Sequence, residues 1–389
     1  MSLFPREEYL RRIAATRARM EREGVDALLV ASPENINYLT GYAGWSFYTP
    51  QLCIVDAREE LPTFITRQMD VACADYSVFL PSTNVLGYPE HYIGTALRHP
   101  MEFIAEWLTA RGLGTRRLGV EKSAHFFSVR TYEILVAKLR EATFVDCDLL
   151  VDWVRLVKSP AEIDVMRQAG AIADATMRAA TDAIAPGVRE CDAAAALYAA
   201  QLRGTSAGGG GVPNSVLMPA GEKTRAPHLK WTDAPYANDQ GVNIELSGCR
   251  HQYHAALART VYLGTPDPAL GRLAVAVIDG MGAALDATRP GVACEDVVKR
   301  WDETIGRAGY SKASRIGYSI GLCFQPTWLE RTVSLQRGER TELQANMTFH
   351  LMCGMWQGAH NLVMSETFRV SETGFELFTY FPRELIVKP

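Results

Sequence analysis

The chain has 389 residues, of which 48% are hydrophobic, with 40 basic against 44 acidic residues and a net charge of −4. That length suits two domains better than one core, and the near-balanced charge argues against disorder, a nucleic-acid partner or a polyanion surface. The first twenty residues carry too many charges for a signal segment, and no later run reads as the roughly 18 apolar residues of a membrane span, so a cytoplasmic protein with no membrane partner is expected. Eight cysteines are scattered singly (53, 73, 147, 191, 249, 294, 323, 353) without a CxxC pair, which fits reduced thiols better than disulfides or zinc knuckles.

Pro5 to Glu23 reads as an amphipathic helix with Tyr9, Leu10, Ile13 and Met20 on one stripe and Gly24 as a left-handed cap. Ala27 to Val30 is a short buried strand. The segment from Ser32 to Gln51, SPENINYLTGYAGWSFYTPQ, is rich in turn formers and aromatics. It reads either as a packed loop or as a lid on a small ligand, with Trp45, Phe47 and Tyr48 as its substrate-binding aromatics. Strands at Leu52–Val55, Thr63–Thr66 and Leu118–Glu121 alternate with helical patterns at Met101–Arg111 and Val129–Glu141, giving an α/β domain over residues 1–152.

Ser159, Pro160 and Glu162 form a capping-box pattern that starts a long helix with Ile163, Met166, Ile172 and Met177 on its buried side. A second domain, residues 153–389, begins beside it. Within it, DAIAPGVRECDAAAAL from Asp182 and DATRPGVACEDVVKRW from Asp286 both read helix, Pro-Gly-Val turn, helix. Such an internal repeat predicts a twofold half-domain. The glycine run Thr205–Val212, TSAGGGGV, follows a helix and precedes Pro213, so it reads as a flexible loop and not as a phosphate-binding one. Val242 to Gly264 reads as a β-hairpin: Val242, Ile244 and Leu246 alternate, a polar turn covers Gly248 to Gln252, and an extended run resumes at Leu257–Leu263.

Chemistry concentrates after residue 225, where five of the eight histidines fall (228, 251, 254, 350, 360). The helix entry RLVKSPAEIDVMRQA, the hairpin IELSG…LARTVYLG, the repeat and SRIGYSIGL resemble the creatinase/aminopeptidase family, whose second domain has the pita-bread fold. That resemblance implies a two-domain α/β architecture and supplies five positions at which metal-dependent members carry ligands. Here Glu245 stands at the first, and Ala256, Tyr318, Met352 and Ser365 stand at the other four, with Glu366 beside the last. An alanine cannot ligate a cation, so no metal and no other cofactor is expected.

The set YLTGYAGWSFY, APHLKW, IELSGCRHQYH, LERTVSL and MTFHLMCGMW is similar to the ectoine hydrolases, metal-free members of the same fold that open a cyclic amidine ring. The resemblance implies His228 as the proton donor or acceptor and a small-molecule substrate. It also implies Arg331 as a clamp on a substrate carboxylate and a homodimer. With Glu245 and Glu366 holding protonated nitrogens, His228, Glu245 and Glu366 are the expected catalytic set, and His254, Tyr318, Glu330, Arg331 and His350 the expected pocket wall. A surface ion pair is the alternative for Glu330 and Arg331. The chain departs from those hydrolases at Gln357–Glu366, which lacks their acidic, Trp-containing segment. A lyase or cyclase on the same fold, a ligand-binding relative without turnover, and a Xaa-Pro aminopeptidase stay open beside the hydrolase.

Overall fold

About half of the first twenty-odd residues are charged or polar, yet one stripe is apolar, and in the computed structural model that stripe is what α1 (Arg6–Glu23) buries, through Tyr9, Ile13 and Met20. The structure describes residues 2–212 and 216–389; Pro213, beside the glycine run, lies outside them. The chain divides into one unit ending at Arg155 and a second beginning at Leu156. In the first, α1 stops at Gly24, which takes φ 63° and returns its N–H to the helix, a conformation that costs glycine least. There follow β1 (Ala27–Val30), α2 (Pro33–Thr40), β2 (Leu52–Asp56), β3 (Thr63–Arg67), the single turn α3 (Val71–Ala74), β4 (Val85–Tyr88), α4 (Pro100–Ala110), β5 (Arg117–Val120), α5 (Val129–Lys138), β6 (Thr143–Asp146) and α6 (Leu150–Arg155).

The six strands form one mixed sheet in the order β4-β3-β2-β1-β5-β6. Leu29, Ile54, Ile65, Leu118 and Val120 pack with Met101, Ile104, Leu108 and Leu135 from α4 and α5 in one core. Where a continuous loop was expected from Ser32, the chain first makes α2. Its entry is fastened from a distance: the Glu121 carboxylate accepts the N–H groups of Ala31 (2.7 Å) and Ser32 (2.8 Å) and the Asn35 amide (2.6 Å). Burial pushes Glu121 up to about 7. Beyond α2, Phe47 is buried against Phe126 with ring centroids 4.8 Å apart, whereas Trp45 and Tyr48 are exposed.

The second unit opens with the expected capping box, Ser159 and Glu162 bonding each other's backbone N–H at the start of α7 (Pro160–Ala183). Then come α8 (Glu190–Arg203), β7 (Gln240–Arg250), β8 (Tyr253–Leu263), α9 (Pro268–Ala287) and α10 (Cys294–Arg307). After them run β9 (Gly317–Ile320), β10 (Leu329–Leu335), β11 (Thr348–Met352), β12 (Met355–Gln357), β13 (His360–Leu362), β14 (Ser365–Val370), β15 (Phe375–Leu377) and β16 (Ile386–Lys388). Two sheets result, β10-β9-β11-β14-β15 and β16-β8-β7, with β12-β13 as a separate ribbon.

The repeat is visible in the hydrogen bonds. Gly187 and Gly291, both at φ 83°, donate to Tyr236 O (2.8 Å) and Leu343 O (2.9 Å). Tyr236 and Leu343 donate back to Val188 O and Val292 O, both 2.8 Å, and Arg189 and Ala293 make isolated bridges to Pro235 and Glu342. Each helix pair is therefore braced at its turn by the same backbone clasp.

The hairpin is tighter than its sequence suggests. β7 and β8 are paired over eleven residues each, from Gln240↔Leu263 to Arg250↔Tyr253, so only His251 and Gln252 form the turn, at φ 49° and 66°. Two consecutive positive φ values match a two-residue turn to the strands' twist. Val242, Ile244 and Leu246 face the core with Ala173, Met177 and Leu197 of α7 and α8, which by the two-residue period turns Asn243, Glu245 and Ser247 to the other face. Helix α9 is long and apolar enough by length and composition to cross a membrane, contrary to the sequence expectation; half of that stretch is buried, with Leu273, Val277 and Met281 in the core. All eight cysteines are free thiols, six of them buried.

Candidate active site

A cavity of about 710 Å³ opens in the second unit on the polar face of β7. Its wall takes Glu245 from β7 and Pro227 and His228 from the loop before that strand. Lys312 and Arg315 come from the approach to β9 and Tyr318 from β9 itself, Trp328 and Leu329 from the entry of β10, and Met352, Gly354 and Trp356 from the β11–β12 junction. Of the expected site residues the structure thus brings together His228, Glu245 and Tyr318.

Glu245 is placed by two ladders. Its backbone pairs with Ala258 on β8, and its N–H and C=O bond Leu217 on the other side, both at 2.9 Å. Its carboxyl has no hydrogen-bond or ion-pair partner among the described residues, and burial pushes it up to about 7. Ala256 and Ala258 share its sheet face, so methyl groups stand where longer side chains could fill the space. His228 is exposed at the rim.

Tyr318 is fixed at its hydroxyl by two partners. Trp328 Nε1 donates to its hydroxyl at 3.0 Å, and His350 Nδ1 lies 2.8 Å from the same oxygen. His350 Nε2 is 2.7 Å from Ser365 Oγ, and burial drives this imidazole down to about 3, so it is neutral. Desolvation raises the Tyr318 hydroxyl further, with the nearby Glu245 carboxylate adding to the effect. The row Trp328–Tyr318–His350–Ser365 is therefore an uncharged hydrogen-bonded chain leading from the cavity into the core.

Five of the expected catalytic and pocket residues of the second unit, Glu366, Glu330, His254, His350 and Arg331, lie outside the lining. Glu366 binds the fully buried Arg259 at 2.6 Å, and Arg259 also donates to the carbonyls of Ala258, Ser365, Phe381 and Pro382 at 2.6–2.8 Å. Glu330 forms a buried ion pair with Lys158 at 2.6 Å, which corrects both the pocket reading and the surface-pair alternative for this residue. His254 is buried beside Ser247 Oγ (3.1 Å) and Cys323 O (3.2 Å), and desolvation lowers it to about 4. His350 stands behind Tyr318 and does not itself line the cavity. Arg331 is half-buried in β10 and outside the lining. The β9–β10 register slips between Leu329 and Ser334, so alternation from the cavity-facing Leu329 does not extend to it. Trp45, Phe47 and Tyr48 belong to the first unit.

The lining also holds residues that sequence reasoning did not nominate: Lys312, Arg315, Trp328 and Trp356. The Lys312 ammonium is buried and donates to Gly354 O at 2.6 Å. Arg315 lies over the Tyr318 ring, 4.6 Å from its centroid. A lone cation three residues before a motif position was the only local signal for Arg315.

A divalent cation fits this donor set poorly. At the five positions where the resemblance places ligands there are one carboxylate, a methyl, a thioether, a hydroxyl bonded to His350, and a phenol held by two neighbours. Among the described residues no three His, Cys, Asp or Glu side chains converge as a metal-holding group.

The chain matches the family model of metallopeptidase family M24 over residues 164–372 and that of the creatinase/prolidase N-terminal domain over residues 12–157. It is 42% identical over 387 residues to an uncharacterised hydrolase/peptidase of Sinorhizobium fredii, covering 99% of this chain and 98% of that one. It is 35% identical over 393 residues to the ectoine hydrolase of Halomonas elongata, again covering 99% and 98%. A solved prolidase from Thermococcus sibiricus aligns with a TM-score of 0.85 at 17% identity, covering 98% of this chain and 99% of that one. At that identity the likeness shows the two-domain pita-bread architecture alone.

Proposed function

The chain belongs to metallopeptidase family M24, with the creatinase-type N-terminal domain, and within that family we propose that it is a metal-independent C–N hydrolase acting on a small cyclic amidine or related zwitterion, as the ectoine hydrolases do. Hydrolase activity is supported by the full-length identity to the ectoine hydrolase of Halomonas elongata. The observation that carries the finer reading is the cavity's chemistry: Glu245, whose carboxyl has no partner among the described residues, and a rim histidine, His228, with Met352 and a hydrogen-bonded Tyr318 at positions of metal donors and Ala256 at another on the sheet face of Glu245.

An amidine carbon between two nitrogens is electrophilic when the ring is protonated. Glu245 holds a ring N–H and favours that cation, because the carboxylate, which has no partner among the described residues, gains one in the complex. His228 takes a proton from water as the C–O bond forms and returns it to the departing nitrogen as the C–N bond breaks. Trp328 and Trp356 supply flat apolar walls that exclude bulk water around the planar amidine. A homodimer, with the aromatic segment around Trp45 covering a partner's site, is part of the proposal.

The test is proton NMR of ectoine incubated with chelator-treated protein. Ring opening to an acetylated diamine supports substrate class and metal independence together. Unchanged ectoine, with turnover restored on a dipeptide by added divalent metal, refutes the proposal.

A further inference from the structure

Among the described residues the cavity wall contains three basic side chains, and Arg315 is the one whose guanidinium can receive a carboxylate as a two-pronged fork. His228 is at the rim. Lys312 is buried, with its ammonium already given to Gly354 O at 2.6 Å. Arg315 is exposed on the lining, spends one N–H on the neutral Ser334 Oγ at 3.1 Å, and has no carboxylate within ion-pair distance among the described residues. Of the five donors of a guanidinium, four have no partner among the described residues.

Arg315 is also held in place. Its guanidinium carbon sits 4.6 Å from the centroid of the Tyr318 ring, and that ring is fixed by Trp328 and His350 at its hydroxyl. A cation stacked on an anchored aromatic keeps its planar fork oriented, so less freedom is lost when a carboxylate binds it. Glu245, the cavity's acidic group, also acts electrostatically on Tyr318. Arg315, Tyr318 and Glu245 all line the same cavity, so one ligand can meet both a positive and a negative group.

We infer that Arg315, and not Arg331, is the carboxylate clamp of this cavity, so that its ligand is a small zwitterion whose carboxylate lies on Arg315 and whose cationic end lies towards Glu245. Arg315 is a binding and positioning residue; it exchanges no proton with substrate. The inference rests on the functional reading above for the cationic end of the ligand, whereas the clamp itself rests on the geometry.

The experiment measures binding by calorimetry for three acid/amide pairs: ectoine, guanidinoacetate and N-acetylglycine, each against its carboxamide. The proteins are the wild type, Arg315→Gln, Arg315→Lys and Arg331→Gln. In the wild type the acid is preferred by about ten- to a hundredfold, the range for a charge-assisted hydrogen bond to a carboxylate. Arg315→Gln removes that preference, Arg315→Lys keeps part of it, and Arg331→Gln keeps all of it. Loss of preference in Arg331→Gln with retention in Arg315→Gln overturns the inference, as does an absence of acid preference in the wild type across all three pairs. If ectoine fails to bind while another acid is held through Arg315, the functional reading falls and the clamp stands. Thermal melting of each variant identifies any loss of fold, and Arg315→Lys, which keeps the charge, decides the matter should Arg315→Gln melt early.

Discussion

Glu366 was expected in catalysis, and its surroundings predict something different. Glu366→Gln keeps the volume and removes the charge. Arg259 is fully buried, and four of its hydrogen bonds go to neutral carbonyls, so Glu366 at 2.6 Å is the carboxylate hydrogen-bonded to it. Removing one partner of such a pair leaves an uncompensated buried charge and costs about 3–5 kcal/mol. Unfolding entropy near 2.1 cal/mol/K per residue, over a unit of about 230 residues, gives roughly 0.5 kcal/mol per degree. The expected fall in melting temperature is therefore about 6–10 °C. Circular dichroism melts, paired with turnover measured well below the transition, check it. A variant that melts within about 2 °C of the wild type while turnover falls more than about a hundredfold refutes the counter-ion reasoning and returns Glu366 to catalysis.

The acid at the cavity titrates in an accessible range. Glu245, raised from 4.5 to about 7, stabilises the fold fully below pH 4.5 and loses that contribution as pH rises through 7, so Glu245→Gln is more stable than the wild type at pH 8 by up to about 3 kcal/mol and no different at pH 4; denaturant melts at both pH values check this. His228→Asn leaves melting unchanged, because His228 is exposed, and lowers turnover by about 10²–10⁴-fold in steady-state assays. Tyr318→Phe strands Trp328 Nε1 and His350 Nδ1 and costs about 1–3 kcal/mol in chemical denaturation, yet keeps the acid/amide preference because the stacked ring remains.

What was legible in the sequence was local. The Ser159–Glu162 capping box, the alternation of Val242, Ile244 and Leu246, and the two Pro-Gly-Val turns each carry their cause within a few residues, and each forms as read. Helix α2 was hidden because its fastening comes from Glu121, some ninety positions along the chain. The hairpin turn was placed too widely because His251 and Gln252 adopt positive φ without the glycine or asparagine that normally announces it. At the site, Glu245 and Tyr318 could be located from motif spacing. Glu366 and Glu330 carry the same chemistry in one dimension, but their partners Arg259 and Lys158 lie 107 and 172 positions away, and only folding reveals that both are already neutralised.

The paired clasp at the Pro-Gly-Val turns bears on how this scaffold tolerates change. Both clasps are made from main-chain amides and carbonyls, Gly187 with Tyr236 and Gly291 with Leu343, and neither draws on a side chain that faces the cavity. Any residue that preserves φ at those glycines preserves the brace, whatever is substituted on the inner wall. The brace and the cavity's chemistry are thus written in different atoms. A sequence can exchange aspartate for Ala256 or histidine for Tyr318 without touching those clasps, so new chemistry can be tried on this frame while its helix pairs stay braced.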